Sequence, residues 1–156
     1  MPILALSDFA AALAPSGALL GVDPGAKRIG VAASDPGRRV ATPVETIART
    51  RFAADAARLF ALYDARGCAG LVIGLPLNMD GSAGPAAQSA RGFARNLLGV
   101  RDAPIMFWDE RLTTAAVTRA LIAAEATRAQ RARLVDSAAA AYLLQSALER
   151  LGRLEA

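Results

Sequence analysis

The chain has 156 residues, enough for one domain with a substantial core and too short for two ordinary domains. Its 38 alanines, 17 arginines, lone lysine (Lys27), single cysteine (Cys68) and complete lack of histidine exclude an internal disulfide, any Ser/His/Asp or Cys/His catalytic system and any His-ligated zinc or iron site within the chain. Eighteen basic against fourteen acidic residues leave a net charge of only +4, so the isoelectric point of 10.2 overstates the basicity, because arginine does not titrate until far above neutrality.

Met1 to Ala18 is mildly apolar but is interrupted by Asp8 and Pro15, and it falls short of the roughly 20 apolar residues of a membrane span. It reads as an N-terminal arm or short helix over residues 1–18, followed by a single domain over 19–156. No membrane association is expected, and the lone cysteine fits the reducing cytoplasm.

Leu19 to Val22 and Ile29 to Ala33 are short apolar runs closed by Asp23-Pro24-Gly25 and by Ser34 to Gly37, and they predict two strands of a hairpin. Arg39 to Ile47 predicts a third strand. From Thr50 the period becomes helical through Phe52, Ala56, Leu59, Phe60 and Tyr63, with Gly67 as a stop. Gly70 to Leu75 is a buried-type strand closed by Pro76, Ala86 to Leu97 a second helix, and Ile105 to Trp108 a further strand ending at Asp109-Glu110-Arg111. Thr113 caps a predicted third helix carrying Val117, Ala120, Leu121 and Ala124, and a last helix is predicted from near Asp136. Three neighbouring strands followed by alternating helix and strand predict an α/β fold: a mixed five-stranded sheet flanked by helices.

In such sheets sites collect at the carboxyl ends of strands, and acids stand there. Asp23 follows the first strand, Glu110 and Asp109 follow the last, and Asp136 opens the final helix. Brought together, such carboxylates repel unless a divalent cation neutralises them, and oxygen donors suit Mg²⁺ or Mn²⁺. Two such ions about 4 Å apart can activate water and stabilise a leaving oxygen in phosphodiester hydrolysis without any histidine. Each acid also has a plainer reading. Asp23 suits a turn before Pro-Gly, Asp136 an N-cap, Glu110 a surface pair with Arg111 or Arg119, and Asp80 a tight turn before Gly81. Lys27 and Arg28 stand where they can face a phosphate or line a solvated hairpin. Arg128, Arg131 and Arg133 form a basic cluster between the last two helices that suits a nucleic-acid backbone or an exposed loop. Phe107 and Trp108 fit a core strand better than a base-stacking surface, and Cys68 reads as a small buried residue.

Four segments carry a resemblance. Leu20-Gly21-Val22-Asp23-Pro24-Gly25-Ala26-Lys27-Arg28-Ile29-Gly30-Val31-Ala32, Val72-Ile73-Gly74-Leu75-Pro76-Leu77-Asn78-Met79-Asp80-Gly81-Ser82, Asp109-Glu110-Arg111-Leu112-Thr113-Thr114 and Val135-Asp136-Ser137-Ala138-Ala139-Ala140 resemble, in order, the four signature blocks of the YqgF/RuvX family. The resemblance implies an RNase H-like fold and a cytoplasmic, metal-dependent nuclease linked to maturation of the 5′ end of pre-16S rRNA, once described as a Holliday junction resolvase. It implies Asp23, Glu110 and Asp136 as catalytic, metal-holding carboxylates for Mg²⁺ or Mn²⁺. Lys27, Arg28, Asn78, Asp80 and Arg111 match motif positions that face the substrate. Pre-rRNA is the expected partner, with branched DNA as the alternative and a monomer or homodimer as the working form. RuvC-like resolvases place an acid where this chain has Pro76 and a pair of acids on the last helix, where Asp136 stands alone until Glu149. A non-catalytic nucleic-acid binder in ribosome assembly or transcription is the competing class, and ATP-dependent phosphotransfer is a third that one domain does not accommodate.

Overall fold

A computed structural model describes residues 3–112 and 128–155, with side chains described over 3–112 and 136–154. The helix predicted from Thr113 lies outside the described residues. A short helix, α1 (Leu6–Ala12), precedes β1 (Ala18–Pro24), β2 (Arg28–Ser34), β3 (Ala41–Ala48), α2 (Phe52–Ala65), β4 (Cys68–Leu75), α3 (Pro85–Val100), β5 (Ile105–Asp109), a 3-10 turn (Glu110–Leu112) and α4 (Arg128–Glu155). The strands form one sheet in the order β3-β2-β1-β4-β5. The β1–β2 and β2–β3 pairs are antiparallel, whereas β1–β4 and β4–β5 are parallel. The predicted hairpin and the mixed five-stranded sheet are thus both present.

Strand alternation divides the core into two layers. Leu20, Val22, Ile29, Val31, Leu71, Ile73 and Ile105 pack against α2 and α3 through Leu59, Phe60, Phe93 and Leu97. The intervening Leu19, Ala32, Val72, Met106 and Trp108 pack against α4 through Ala140, Leu143, Leu144, Ala147 and Leu148, with Phe9 of α1 closing one end. Trp108 is therefore core, as its strand context predicts. At the β5 edge the Leu4 N–H donates to the Ile105 carbonyl at 2.8 Å, tying the N-terminal arm to the sheet. Among the described residues no helix is long and apolar enough to cross a membrane.

Helix α4 rides unusually low over the sheet. A Cβ on Gly30 would lie 1.9 Å from the Asp136 carbonyl oxygen, and one on Gly21 would lie 2.7 Å from Leu144 Cβ. Both strand positions must lack a side chain for the helix to reach this depth.

Two expectations need correction. Asp23 lies within β1, whose last residue is Pro24, and does not follow the strand. Helix α4 begins at Arg128, eight residues before Asp136. Asp136 is therefore interior to the helix and not its N-cap, and Arg128, Arg131 and Arg133 belong to the helix, not to a loop between helices. The physical reason is composition: residues 128–135 contain neither Gly nor Pro, and Arg, Ala, Gln and Leu are strong helix formers, so nothing stops the helix from starting early.

The Gly30 contact predicts that Gly30→Ala lowers the unfolding free energy by about 3 kcal/mol, read from urea denaturation. Gly99→Ala, where a Cβ meets nothing within 4 Å, is expected to leave stability unchanged or raise it.

Candidate active site

The face of the sheet under α4 gathers the three acids of the resemblance. Asp23 is on the same side of β1 as Gly21, since the two are separated by one alternation, and its cross-strand partner is Gly30. Over Gly30 lies Asp136. On the other side of β1, in β4, a Cβ on Gly74 would stand 2.6 Å from Glu110 Oε1 and 3.0 Å from Leu143 Cδ2. Asp23 is thus flanked by two glycines, one covered by the backbone of Asp136 and the other by the carboxylate of Glu110. Helical spacing explains the placement: Asp136, Ala140 and Leu143–Leu144 fall on one face of α4. When Leu144 is set over Gly21, Asp136 must sit over Gly30.

The residues arrive from distant parts of the chain, but each is held locally. Asp23 is only 8 % exposed because a central strand carries it. The turn after it closes through the Gly25 N–H, which lies 3.1 Å from the Asp23 carbonyl and 2.9 Å from that of Arg28. That turn delivers Lys27 and Arg28 to the rim. The Arg28 Nε donates to Asp136 Oδ2 at 2.7 Å, with side chains 44 % and 21 % exposed. Arg49 supports this turn through its backbone, its N–H donating to the Lys27 carbonyl at 2.9 Å, while its guanidinium lies 5.1 Å from the ring centroid of Phe93 in the opposite core layer.

Other titratable groups have structural roles. Asp55, although buried, accepts from the Thr50 N–H and hydroxyl at the start of α2. Asp109 forms an ion pair with Arg111 at 2.6 Å, and the Arg111 guanidinium holds its carboxyl below the usual range. Burial pushes the Cys68 thiol up to about 11, so it stays protonated at neutral pH.

Asp23, Glu110 and Asp136 offer carboxylate oxygens only, the donor set that Mg²⁺ and Mn²⁺ take, and the two glycines let Asp136 and Glu110 approach the sheet closely. The donor chemistry fits a hard cation. Among the described residues, however, no three acidic or sulfur ligands stand close enough to share one ion as arranged, and Asp136 is engaged by Arg28.

The RuvX family, described as Holliday junction resolvase, matches residues 17–150. A Rhodopseudomonas palustris (strain BisB5) protein named "Putative pre-16S rRNA nuclease" is 59 % identical over 150 residues, covering 96 % of this chain and 94 % of its own length. A Rhodospirillum rubrum protein of the same name is 56 % identical over 154 residues, covering 98 % and 96 %. The chain belongs to the RuvX family. The fold of this RuvX chain is RNase H-like. It superposes on Thermus thermophilus RuvC, solved with a Holliday junction substrate, with a TM-score of 0.53 at 14 % identity over 86 % of this chain and 96 % of that one.

The second RuvX block forms a small rigid loop after β4. Leu75 ends the strand and Pro76 follows it, so no acid stands at this strand end. The Asn78 N–H donates to the Ser82 carbonyl at 2.9 Å, the Gly81 N–H to the Asn78 carbonyl at 2.9 Å and Asn78 Nδ2 to Ser82 Oγ at 3.0 Å. Gly81 has φ +88°, a conformation that favours glycine. Asp80 accepts from both the N–H and the hydroxyl of Ser82, at 2.9 and 2.6 Å, which makes it the turn residue its sequence context predicts. Arg111 Nη1 donates to the Met79 carbonyl at 3.2 Å and binds the loop to the end of β5. Arg128, Arg131 and Arg133 lie in α4, and their side chains are outside the described ones.

The Ser82 bonds, chiefly the one from its side chain, lower the Asp80 pKa from its ordinary 3.8. A depressed acid favours the folded loop above its unfolded pKa, and that contribution is lost as pH falls through the folded value. The Asp80 carboxyl is therefore expected to titrate below 3.8 by carbon NMR. Ser82→Ala should move it back up toward the ordinary value.

Proposed function

We propose that this chain is a divalent-metal-dependent nuclease that hydrolyses phosphodiester bonds in structured RNA and processes the 5′ end of pre-16S rRNA in the cytoplasm. The observation that carries this reading is the placement of Asp23, Glu110 and Asp136 at the same face of the sheet, by Gly30 and Gly74. The relatives that share more than half of its residues and bear the nuclease name support the substrate.

Asp23, Glu110 and Asp136 would hold the ion, Mg²⁺ or Mn²⁺. When bound, such an ion lowers the pKa of a coordinated water and offsets charge on the phosphate. Asp23, carried by a central strand, is the most buried of the three. Lys27 and Arg28, on the turn beside it, face the phosphate backbone, and arginine's planar fork suits phosphate oxygens. Asn78, Asp80 and Arg111 are the second candidate contact with the nucleic acid, on a loop held by its own hydrogen bonds. Arg128, Arg131 and Arg133, in α4, are the remaining candidates for backbone phosphate contacts. Without an imidazole in the chain, the proton of the attacking water passes to a carboxylate of this set or to solvent.

Branched DNA is the second substrate reading, supported by the family's description as a Holliday junction resolvase. The lack of an acid at the Leu75–Pro76 strand end and the solitary Asp136 on its part of α4 favour RNA, since both positions depart from the RuvC-like acid set.

Purified protein is tested on a pre-rRNA-like RNA and on a four-way DNA junction, with and without Mn²⁺, alongside Asp23→Asn. Cleavage of the RNA is expected to require Mn²⁺ and to slow about 100-fold or more in Asp23→Asn, with RNA binding retained. Equal cleavage by both proteins ends the proposal. RNA binding without cleavage by either protein makes the chain a non-catalytic binder.

A further inference from the structure

Arg28 is the first residue of β2 and lies two positions before Gly30, so alternation puts its side chain on the same face as Asp23 and α4. There it bonds Asp136 through a single Nε–Oδ2 contact of 2.7 Å, short of the two-bond fork that arginine makes with carboxylates and phosphates. The pair is partly exposed, at 44 % and 21 %, and such pairs are weak enough to exchange partners. As arranged, no three acids among the described residues are within reach of one cation.

We propose that Arg28 is an exchange latch. It neutralises Asp136 in the empty enzyme and moves to a substrate phosphate when RNA binds, which frees Asp136 to join Asp23 and Glu110 around the cation. The inference rests on the metal-dependent nuclease reading and adds an order of assembly to it. A guanidinium and a divalent ion on one carboxylate repel each other, so withdrawing Arg28 tightens the cation, and by linkage the cation tightens RNA by the same factor. Arg28 thus couples substrate to metal, and the complete centre forms only where a phosphate backbone is present.

The test measures Mn²⁺ affinity from the electron paramagnetic resonance of the free ion. It uses the full chain as wild type, Arg28→Gln, Arg28→Lys and Asp23→Asn, each with and without a hairpin RNA whose phosphorothioate backbone resists cleavage. Without RNA, Arg28→Gln is expected to bind Mn²⁺ about fivefold more tightly than wild type, with Arg28→Lys remaining near wild type. Saturating hairpin should tighten Mn²⁺ about fivefold in wild type and less than about twofold in Arg28→Gln. In the absence of metal, Arg28→Gln should bind the hairpin more weakly. Equal or weaker Mn²⁺ binding by Arg28→Gln overturns the latch. If Asp23→Asn still abolishes Mn²⁺ binding in that case, the carboxylate centre stands without it. If Asp23→Asn binds Mn²⁺ like wild type, the centre itself fails and takes the latch with it. Circular dichroism of each variant separates these outcomes from misfolding.

Discussion

The close seating of α4 on the sheet is the constraint on which the rest of the molecule depends. Gly21 and Gly30 on adjacent antiparallel strands, and Gly74 on the parallel strand beyond, remove side chains where the helix or Glu110 must approach. Helical periodicity does the remainder. Packing of Ala140, Leu143 and Leu144 against β1 and β4 fixes both the rotation and the axial position of α4, and the position of Asp136 follows from that register. Burying each of those leucines is worth about 1.5–3 kcal/mol, so the hydrophobic layer supplies the energy that holds an acidic residue beside other acids. Stability and site geometry therefore come from the same contacts.

Much of this was legible in the sequence, for identifiable reasons. Strands announced themselves as apolar runs between Gly, Pro and Asp, and the switch to helical period at Phe52 and Ala86 separated helix from strand correctly. The close approaches at Gly30 and Gly74 were not read from the sequence, since what meets them comes from distant elements. The start of α4 was not legible. An acid before an alanine run looks like a cap, and only the unbroken helix-forming composition of 128–135 argues otherwise. The backbone bond from Arg49 at β3's exit to Lys27 in the β1–β2 turn was not legible either, being made by topology and not by spacing. The pairing of Arg28 with Asp136, 108 residues away, lies equally beyond sequence reach, because each residue alone has an ordinary local explanation.

The arginine excess takes on meaning by location. Arg58 with Glu45, and Arg101 with Asp64, are peripheral pairs that draw their carboxylates down in pKa and, being exposed, add little to stability. Arg101 also covers the Phe60 and Tyr63 rings, so part of its role is apolar shielding of the α2 face. Arg28 and Arg111 differ from these in touching the acids and the loop around the cleft. A net charge of +4 says nothing of this division.

On the proposed reading, folding brings Asp23, Glu110 and Asp136 to one face to make a cation site, and like charges at such a place oppose the docking of α4. A strand-borne arginine two residues from Gly30 offsets that cost where it arises, since Arg28 reaches Asp136 only once the helix is seated. The same residue cannot be permanent in that role without blocking the oxygen it neutralises. Under the proposed latch, a partly exposed single-bond pair meets both demands: it favours seating of the helix, and it yields to a phosphate. A lysine in its place would keep the charge but lose the planar fork that lets one side chain serve a carboxylate and a phosphodiester in turn. This geometry gives a physical reason for an arginine and not a second lysine directly after Lys27.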